Sequence, residues 1–256
     1  MNFFGLFIFS LGCSSSSIIE GTVTDIWGNP LANASVTKYS SVFSSEKTTD
    51  EDGSFQFLSY NGEHNFTVSL DGHITEGISF DYQGEKNTPP DHLQIELYPM
   101  PSERGIFAIG SESYIQLDMQ TPKAVGTHLE EIQGIKSIGN VKLHLHEDPA
   151  FIFYIGEELE WEDIKQIKLK LHKLKFVEKK GYTVLEGNSE DEILLYTASG
   201  TRQNFQFEQL DDEVYKITTK GLDKGKYAFH IYDSMITEDL QKIPKDVRRA
   251  YPFRLR

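Results

Sequence analysis

Cysteine is almost absent from this sequence, since its 256 residues include only Cys13. A single thiol excludes a disulfide framework within one chain, and it excludes a structural zinc site that draws two or more thiolates from the same chain. Long apolar runs are also absent, because no stretch approaches the roughly 20 apolar residues of a membrane-spanning helix. Basic residues are few, with 25 Lys+Arg against 39 Asp+Glu and a net charge of −14. This balance argues against a nucleic-acid partner, because phosphate contacts need clustered lysines and arginines.

Catalytic and cofactor motifs are missing as well. The chain contains no G-x-S-x-G elbow, no G-x-x-x-x-G-K-[ST] loop, no G-x-G-x-x-G turn and no H-E-x-x-H helix. We therefore expect a protein that is not an enzyme, and we assign no cofactor, no catalytic residue and no metal ligand. What the chain does have is a large apolar content, 38% of its residues, with 17 Phe and 12 Tyr. This composition predicts one or two folded domains with substantial cores.

The first seventeen residues carry a targeting pattern. Residues 1–12 are almost all apolar, Cys13 follows them, and residues 14–17 are all serine. An apolar run this short is typical of a signal peptide rather than of a membrane span. The arrangement resembles the bacterial lipoprotein signal, in which the cysteine thiol receives a diacylglycerol and the residues before it are removed. A cleaved secretory signal followed by an incidental cysteine is the alternative.

The lipoprotein resemblance implies a location and an anchor. Residues 1–12 would be the signal peptide, Cys13 the lipidation site and residues 13–17 a tether. Two or three acyl chains, at roughly 0.8 kcal/mol per buried CH₂, would hold the protein firmly on a membrane. We therefore expect a cell-envelope protein, which in a Gram-negative cell would sit on the periplasmic or surface face of the outer membrane.

Apolar and polar residues alternate in the region after the serines. A period of two is typical of strands with one buried face. The pattern predicts strands at residues 19–24, 34–38, 55–57, 66–70 and 93–97. Because each strand has one apolar face, two sheets must pack face to face.

Three turn signatures add a family resemblance to this pattern. They are EGTVTD at residues 20–25, GNPLANASV at residues 28–36 and TTDEDGSF at residues 48–55. Together they resemble the carboxypeptidase regulatory-like domain, a transthyretin-like β-sandwich, over residues 18–98. The resemblance implies a fold, and it implies a non-catalytic module of the kind found in secreted and envelope proteins.

The Asp-Gly-Ser turn has two interpretations. Gly53 can supply the positive φ of a tight hairpin, with Asp50 and Asp52 accepting hydrogen bonds from nearby backbone amides. The alternative is calcium, because D-x-D-G also begins an EF-hand loop. That loop needs a Glu at its twelfth position, where this chain has Asn61. The residues therefore favour a structural turn.

A second domain is predicted over residues 103–256, after the breaker-rich segment of residues 98–101. Residues 14–100 contain 3 lysines and 13 acids, whereas residues 101–256 contain 22 basic residues and 26 acids. Strands are predicted at residues 105–109, 114–117, 141–146, 151–155, 182–185, 193–198, 205–208, 214–218 and 226–232. The expected architecture of the whole chain is therefore mainly β, a transthyretin-like sandwich followed by a second mostly β sandwich or barrel.

Two segments of the second domain are less regular. Residues 164–174 show both strand and helix spacing, and we favour a strand that returns through residues 182–185. Residues 236–249 predict a short helix interrupted by Pro244. The basic cluster near this segment is expected to be a solvated end rather than a nucleic-acid site: Arg248, Arg249, Arg254 and Arg256.

Two clusters are candidates for chemistry. His144 and His146 lie two residues apart, so on one strand both imidazoles would face the same side and could share a metal ion. Residues 157–163 hold five acids beside Trp161, from which a glycosidase-like carboxylate pair can be imagined. Solvent-facing histidines and a solvated acidic loop are the simpler interpretations, and we favour them.

Three functions remain open at this point. The favoured one is a membrane-anchored envelope lipoprotein that acts as a non-catalytic binding or structural module, with an envelope protein or a glycan as partner. The second is a carbohydrate-binding module, suggested by aromatic residues whose faces could stack on sugar rings: Trp27, Tyr39, Tyr60, Tyr82 and Trp161. The third is a hydrolase whose site lies near His144, His146 or residues 157–163.

Overall fold

A computed structural model describes residues 18–39, 44–59, 62–82, 92–127, 130–143, 148–156, 168–179, 193–237 and 240–256. The chain is mainly β, which confirms the predicted fold class. It divides into two compact units, residues 1–100 and residues 101–256.

The first unit is a sandwich of two sheets. Its strands are β1 Ile18–Asp25, β2 Ser35–Tyr39, β3 Ser44–Thr48, β4 Ser54–Leu58, β5 Gly62–Ser69, β6 Glu76–Tyr82 and β7 Leu93–Leu97. One sheet has the order β4-β1-β7, in which β1 pairs antiparallel with β4 and parallel with β7. The other sheet is antiparallel with the order β3-β2-β5-β6.

Alternating residues of both sheets meet in one core. Val23 of β1 and Ile95 of β7 face Val36 of β2 and Phe66 of β5, and all four are almost fully buried. The Phe66 ring makes an edge contact with Phe57 at 5.6 Å between centroids. The period-two pattern of the sequence therefore encodes the buried face, as expected for strands with one solvated side.

The second unit is also a sandwich. Its strands are β8 Gly105–Ile109, β9 Tyr114–Gln116, β10 Lys123–Thr127, β11 Glu130–Gly134, β12 Lys142–Leu143, β13 Ala150–Tyr154, β14 Lys170–Lys179, β15 Ile193–Gln203, β16 Phe205–Asp211, β17 Val214–Thr219, β18 Gly225–His230 and β19 Ala250–Leu255. One five-stranded sheet has the order β16-β17-β13-β8-β9, and the other has the order β12-β19-β18-β14-β15. Strands β10 and β11 pair as a separate hairpin.

The core of this unit is aromatic. Phe151 of β13 has its ring 4.9 Å from Phe229 of β18 and 5.1 Å from Phe253 of β19, so the two sheets meet through these side chains. A second buried cluster, which includes Ile135, Leu174 and Met235, lies on the opposite face of the β14–β18–β19 sheet. That sheet is therefore covered on both faces.

The structure corrects the prediction for residues 236–249. The described part of this segment contains two one-turn 3-10 helices, Leu240–Lys242 and Lys245–Val247, in place of the expected helix. Pro244 separates them because proline has no N–H to donate and disfavours a helical residue before it. The prediction of a solvated basic end is wrong for Arg248, which is only 3% exposed and whose Nε donates to the Ile243 carbonyl at 2.7 Å. Arg249 and Arg254 are partly exposed, and Arg256 is exposed.

The ambiguous segment is a strand in its described part, as favoured from the sequence. Strand β14 pairs antiparallel with β15 along most of its length and with β18 at its start. The predicted return strand at residues 182–185 and the end of the predicted strand at residues 141–146 lie outside the described residues.

Candidate functional site

An open pocket lies at one end of the second sandwich, where its two sheets meet. Its volume is about 740 Å³, within the range of roughly 300–1,000 Å³ that is usual for ligand sites. One sheet contributes the residues just before β8, just after β9 and at the end of β13, and the other contributes the start of β19. We call it the mouth pocket.

The segment after β9 joins the two sheets beneath the mouth pocket. The Leu117 N–H donates to the Ile106 carbonyl of β8 at 2.8 Å, which keeps this segment on the first sheet. Three residues later, Gln120 and Ala250 exchange two backbone hydrogen bonds of 2.8 and 2.9 Å. These bonds fix the start of β19, with its pocket residue Tyr251, against the first sheet.

Buried groups form the floor of the mouth pocket. Leu117 and Tyr251 are 2% and 4% exposed, and Gly156 is also buried. Burial raises the pKa of the Tyr251 hydroxyl, and a hydrogen bond and the positive charge of Arg249 oppose that rise. The phenol therefore stays protonated at neutral pH and can donate or accept a hydrogen bond.

Arg104 crosses the pocket wall directly over Gly156. A Cβ built at Gly156 would lie 2.5 Å from Arg104 Cγ and 2.7 Å from its Nε. Only glycine leaves room for the arginine side chain against the backbone here, since real Cβ atoms do not approach other atoms so closely. The position of Arg104 in the pocket therefore requires glycine at position 156.

Two carboxylates stand on the exposed rim. Glu103 accepts a long hydrogen bond of 3.4 Å from the Gln116 amide. Asp118 accepts a hydrogen bond of 3.1 Å from the Asn140 backbone N–H. The mouth pocket therefore presents two carboxylates and two guanidinium groups, those of Arg104 and Arg249, around a partly apolar floor.

The turn carboxylates of the first unit have local structural partners. Asp52 accepts a hydrogen bond of 3.1 Å from the Ser54 N–H, and Ser54 Oγ donates to Asp50 at 3.4 Å. Gly53 has φ of 78°, and a Cβ there would lie 2.4 Å from the Val23 carbonyl oxygen. These contacts are those expected of a structural turn at residues 50–54.

Asp25 organises the turn that follows the first turn signature in the same way. It accepts hydrogen bonds from the Trp27 and Asn29 N–H groups, each at 2.9 Å, and from Asn29 Nδ2 at 2.8 Å. Burial raises the pKa of this carboxyl, but the hydrogen bonds from Asn29 and Trp27 outweigh burial and leave the pKa below its usual value. The ionised carboxylate of Asp25 therefore stabilises this turn.

The aromatic residues of the glycan hypothesis do not come together in the described part of the chain. Trp27 lies in the turn after β1, at the end where β2 begins, whereas Tyr39 lies at the far end of β2. Tyr39 is 44% exposed on the outer face of its sheet. Tyr82 shares the inner-facing register of Phe80, beside His64. Tyr60 and Trp161 lie outside the described residues.

Other candidates from the sequence also lie outside the described residues. They are Cys13, His144, His146 and the acidic segment of residues 157–163. Within the described ranges, no group of three or more His, Cys, Asp or Glu side chains is placed to hold a metal ion. In the same ranges, no helix has the length and apolar character needed to cross a bilayer.

Sequence reasoning missed a buried histidine pair. His172 of β14 and His230 of β18 are 6% and 0% exposed, and His172 Nδ1 lies 2.9 Å from His230 Nε2. Burial, with the nearby positive charges of His172, Lys170 and Arg202, lowers the pKa of His230 to about 3, although Asp233 opposes this. The pKa of His172 is lowered too, chiefly by burial. Only the pairing of β14 with β18 reveals the contact, and the sequence separates the two residues by 58 positions.

Comparison with known proteins identifies part of the chain. Residues 18–91 match the family model of the carboxypeptidase regulatory-like domain. No curated protein matches the chain.

Two solved structures show weak likenesses. A DUF3823 family protein from Parabacteroides merdae ATCC 43184 is 10% identical over 94% of this chain and 98% of its own, with a TM-score of 0.26. BcpA, the major pilin subunit of Bacillus cereus, is 12% identical over 93% of this chain and 68% of its own, also with a TM-score of 0.26. Likenesses at this TM-score carry no argument about fold or function.

The family match and the structure of the first unit agree. The three turn signatures fall in the family-matched region, and the described strands of that region, together with β7, form the sandwich expected from the resemblance. The N-terminal part of this chain, at residues 18–91, is therefore a carboxypeptidase regulatory-like domain.

Proposed function

We propose that this chain is a membrane-anchored lipoprotein of the bacterial cell envelope that acts as a non-catalytic binding or structural module. The observation that carries the proposal is the position of its only cysteine. Cys13 follows twelve mostly apolar residues, precedes four serines, and stands five residues before the regulatory-like domain at residue 18. A lipidated cysteine would therefore place a folded domain directly behind the anchor.

The distance between anchor and fold supports this arrangement. Strand β1 begins at Ile18, and five fully extended residues span at most about 18 Å. The first sandwich would consequently stay close to the lipid headgroups. In a Gram-negative cell the membrane would be the outer membrane, at its periplasmic or surface face.

The use of the carboxylates supports a non-catalytic role. Asp25, Asp50 and Asp52 hold their own turns through short-range hydrogen bonds. The mouth pocket places arginines beside carboxylates without a histidine or a cysteine among its described lining residues. Such a wall is suited to recognition of a ligand by hydrogen bonding.

Metabolic labelling with an alkynyl fatty acid, followed by membrane fractionation, tests the anchor. Wild-type protein and a Ser15→Ala control should both carry the label and should leave the membrane fraction with detergent but not with high salt. Cys13→Ser should lose the label. Wild-type protein that stays unlabelled, or a Cys13→Ser variant labelled as strongly as wild type, would contradict the proposal.

A further inference from the structure

We propose that the mouth pocket of the second unit binds a saccharide. This inference rests on the binding role proposed above and names its ligand class and its site. The sugar site proposed here differs from the one suggested by the sequence. Trp27, Tyr39 and Tyr82 form no common surface, so the expected sugar contacts are those of the mouth pocket.

The charge pattern of the mouth pocket selects the ligand chemistry. Arg104 and Arg249 can only donate hydrogen bonds, whereas the carboxylates of Glu103 and Asp118 can only accept them. A hydroxyl group does both, so neighbouring hydroxyls of one sugar ring can bridge a guanidinium and a carboxylate. A simple anion would face the two carboxylates, and a simple cation would face the two arginines.

The apolar part of the pocket is suited to contact with the C–H face of a sugar ring. Tyr154 is half-buried at the end of β13, and Met119 is 52% exposed on the rim. Aromatic rings pack well against flat apolar surfaces while their polar ends remain hydrated. The C–H face of a pyranose is such a surface. Polar and apolar walls therefore meet within a single pocket.

The polar side chains of the pocket are held before any ligand arrives. Gln116 contacts Glu103, the Asn140 N–H contacts Asp118, and Arg104 packs against Gly156. Side chains that are already ordered lose less conformational entropy on binding. These contacts restrict Glu103, Asp118 and Arg104 before a ligand binds.

A printed array of neutral and acidic oligosaccharides, probed with the purified full chain, tests the inference. We expect retention of at least one saccharide, with at least a tenfold loss in affinity for Arg104→Ala and for Tyr154→Ala. Tyr154→Phe keeps the ring and should bind nearly as well as wild type. Lys224→Ala, an exposed position outside the pocket, is the matched control and should bind normally. Thermal melting of every variant checks that it is folded.

Three results would overturn the saccharide assignment. They are a folded wild-type protein that no saccharide retains, retention that Arg104→Ala and Tyr154→Ala leave unchanged, and titrations in which glycylglycine or inorganic phosphate binds the pocket while sugars do not. Fatty-acid labelling of the same wild-type preparation separates the two proposals. A labelled protein that binds no sugar refutes the ligand class alone, and an unlabelled protein that binds sugar refutes the anchor alone.

Discussion

In the first unit Asp25 and Asp52 accept hydrogen bonds from the backbone of their own turns, whereas in the second unit Glu103 and Asp118 stand on the rim of an open pocket. The donors to Asp25 lie two and four residues along the chain. The donor to Asp118 lies 22 residues away. A carboxylate whose hydrogen-bond donors are close in sequence stabilises its own turn. A carboxylate whose donor is distant in sequence belongs to a surface that forms only when the strands pack together.

The interiors of the two units differ in a related way. The described residues of the first unit form an apolar cluster between its two sheets. The second unit has a comparable aromatic core and, in addition, a covered outer face of one sheet. The register of β14 and β18 places His172 and His230 on the face opposite Phe229 and Leu171. The added layer therefore buries polar groups that a simple two-sheet sandwich would leave in water.

The largest expected effect comes from the aromatic core of the second unit. Phe151 is fully buried between Phe229 and Phe253, so Phe151→Ala should lower the free energy of unfolding by about 3–5 kcal/mol. Phe151→Leu retains most of the volume and should cost clearly less. Urea unfolding with amide hydrogen exchange, read on peptides from β13 and β18, measures both. A loss below about 1 kcal/mol for Phe151→Ala would show that this contact does not hold the two sheets together.

A smaller effect is expected from the turn of the first unit. Gly53→Ala imposes a positive φ on alanine, at about 1–2 kcal/mol, and also pushes a methyl group into the Val23 carbonyl, which adds to that loss. Gly28 has a similar φ of 84°, but a Cβ there would meet no atom within 4 Å. Gly28→Ala should therefore cost only about 1–2 kcal/mol.

Thermal and urea unfolding of both glycine variants give the comparison directly. The difference between them isolates the close approach of the turn to β1. Equal losses for the two variants would mean that the contact between residue 53 and β1 contributes nothing.

The smallest effect near neutral pH is a dependence of stability on pH. The pKa of His230 is about 3 in the folded chain and about 6.5 in an unfolded one. Between these values the unfolded state binds the extra proton, so the free energy of unfolding falls as pH falls, by at most about 1.4 kcal/mol per pH unit. The contribution of the neutral His230 ring to the free energy of unfolding is fully present well above pH 6.5 and is lost progressively as the pH falls towards 3.

The matched variant is the double replacement His172→Leu with His230→Leu, which removes both titrating rings. Urea unfolding between pH 7.5 and 4.5 should show a shallower loss of stability in the double variant than in wild type. Identical pH dependence in the two proteins would show that the buried pair is not a source of acid sensitivity.

Strands with one apolar face could be predicted from the sequence, because alternation at a period of two reflects burial directly. Residues 93–97 were bounded correctly for this reason. Residues 105–109 were also bounded correctly, from a short continuous apolar run that is buried on successive residues. Strand β3, Ser44–Thr48, was missed because its side chains are almost all polar and exposed at a sheet edge. Strand β19 was missed because Pro252 interrupts it, and proline argues against a central strand. Pro252 is tolerated because the described residues of β12 pair with Arg254 and Leu255 and not with residue 252. The missing N–H of the proline therefore costs no hydrogen bond to β12.

The pocket could not be predicted in the same way. Arg104, Asp118, Tyr154 and Arg249 belong to four separate segments, and none of these segments has a motif that points to the others. Their meeting depends on the pairing of β8 with β13 and on the bridge between Gln120 and Ala250. In this chain, short sequence motifs determine the turns, whereas the candidate binding surface depends on which strands pair with one another.

The intact mass of the chain purified from a membrane fraction tests the central claim, that this is an anchored module, most directly. We predict a polypeptide that begins at Cys13 and exceeds the mass of residues 13–256 by a diacylglyceryl group, with or without one further acyl chain. A polypeptide with another first residue and an unmodified Cys13 sulfur would contradict it.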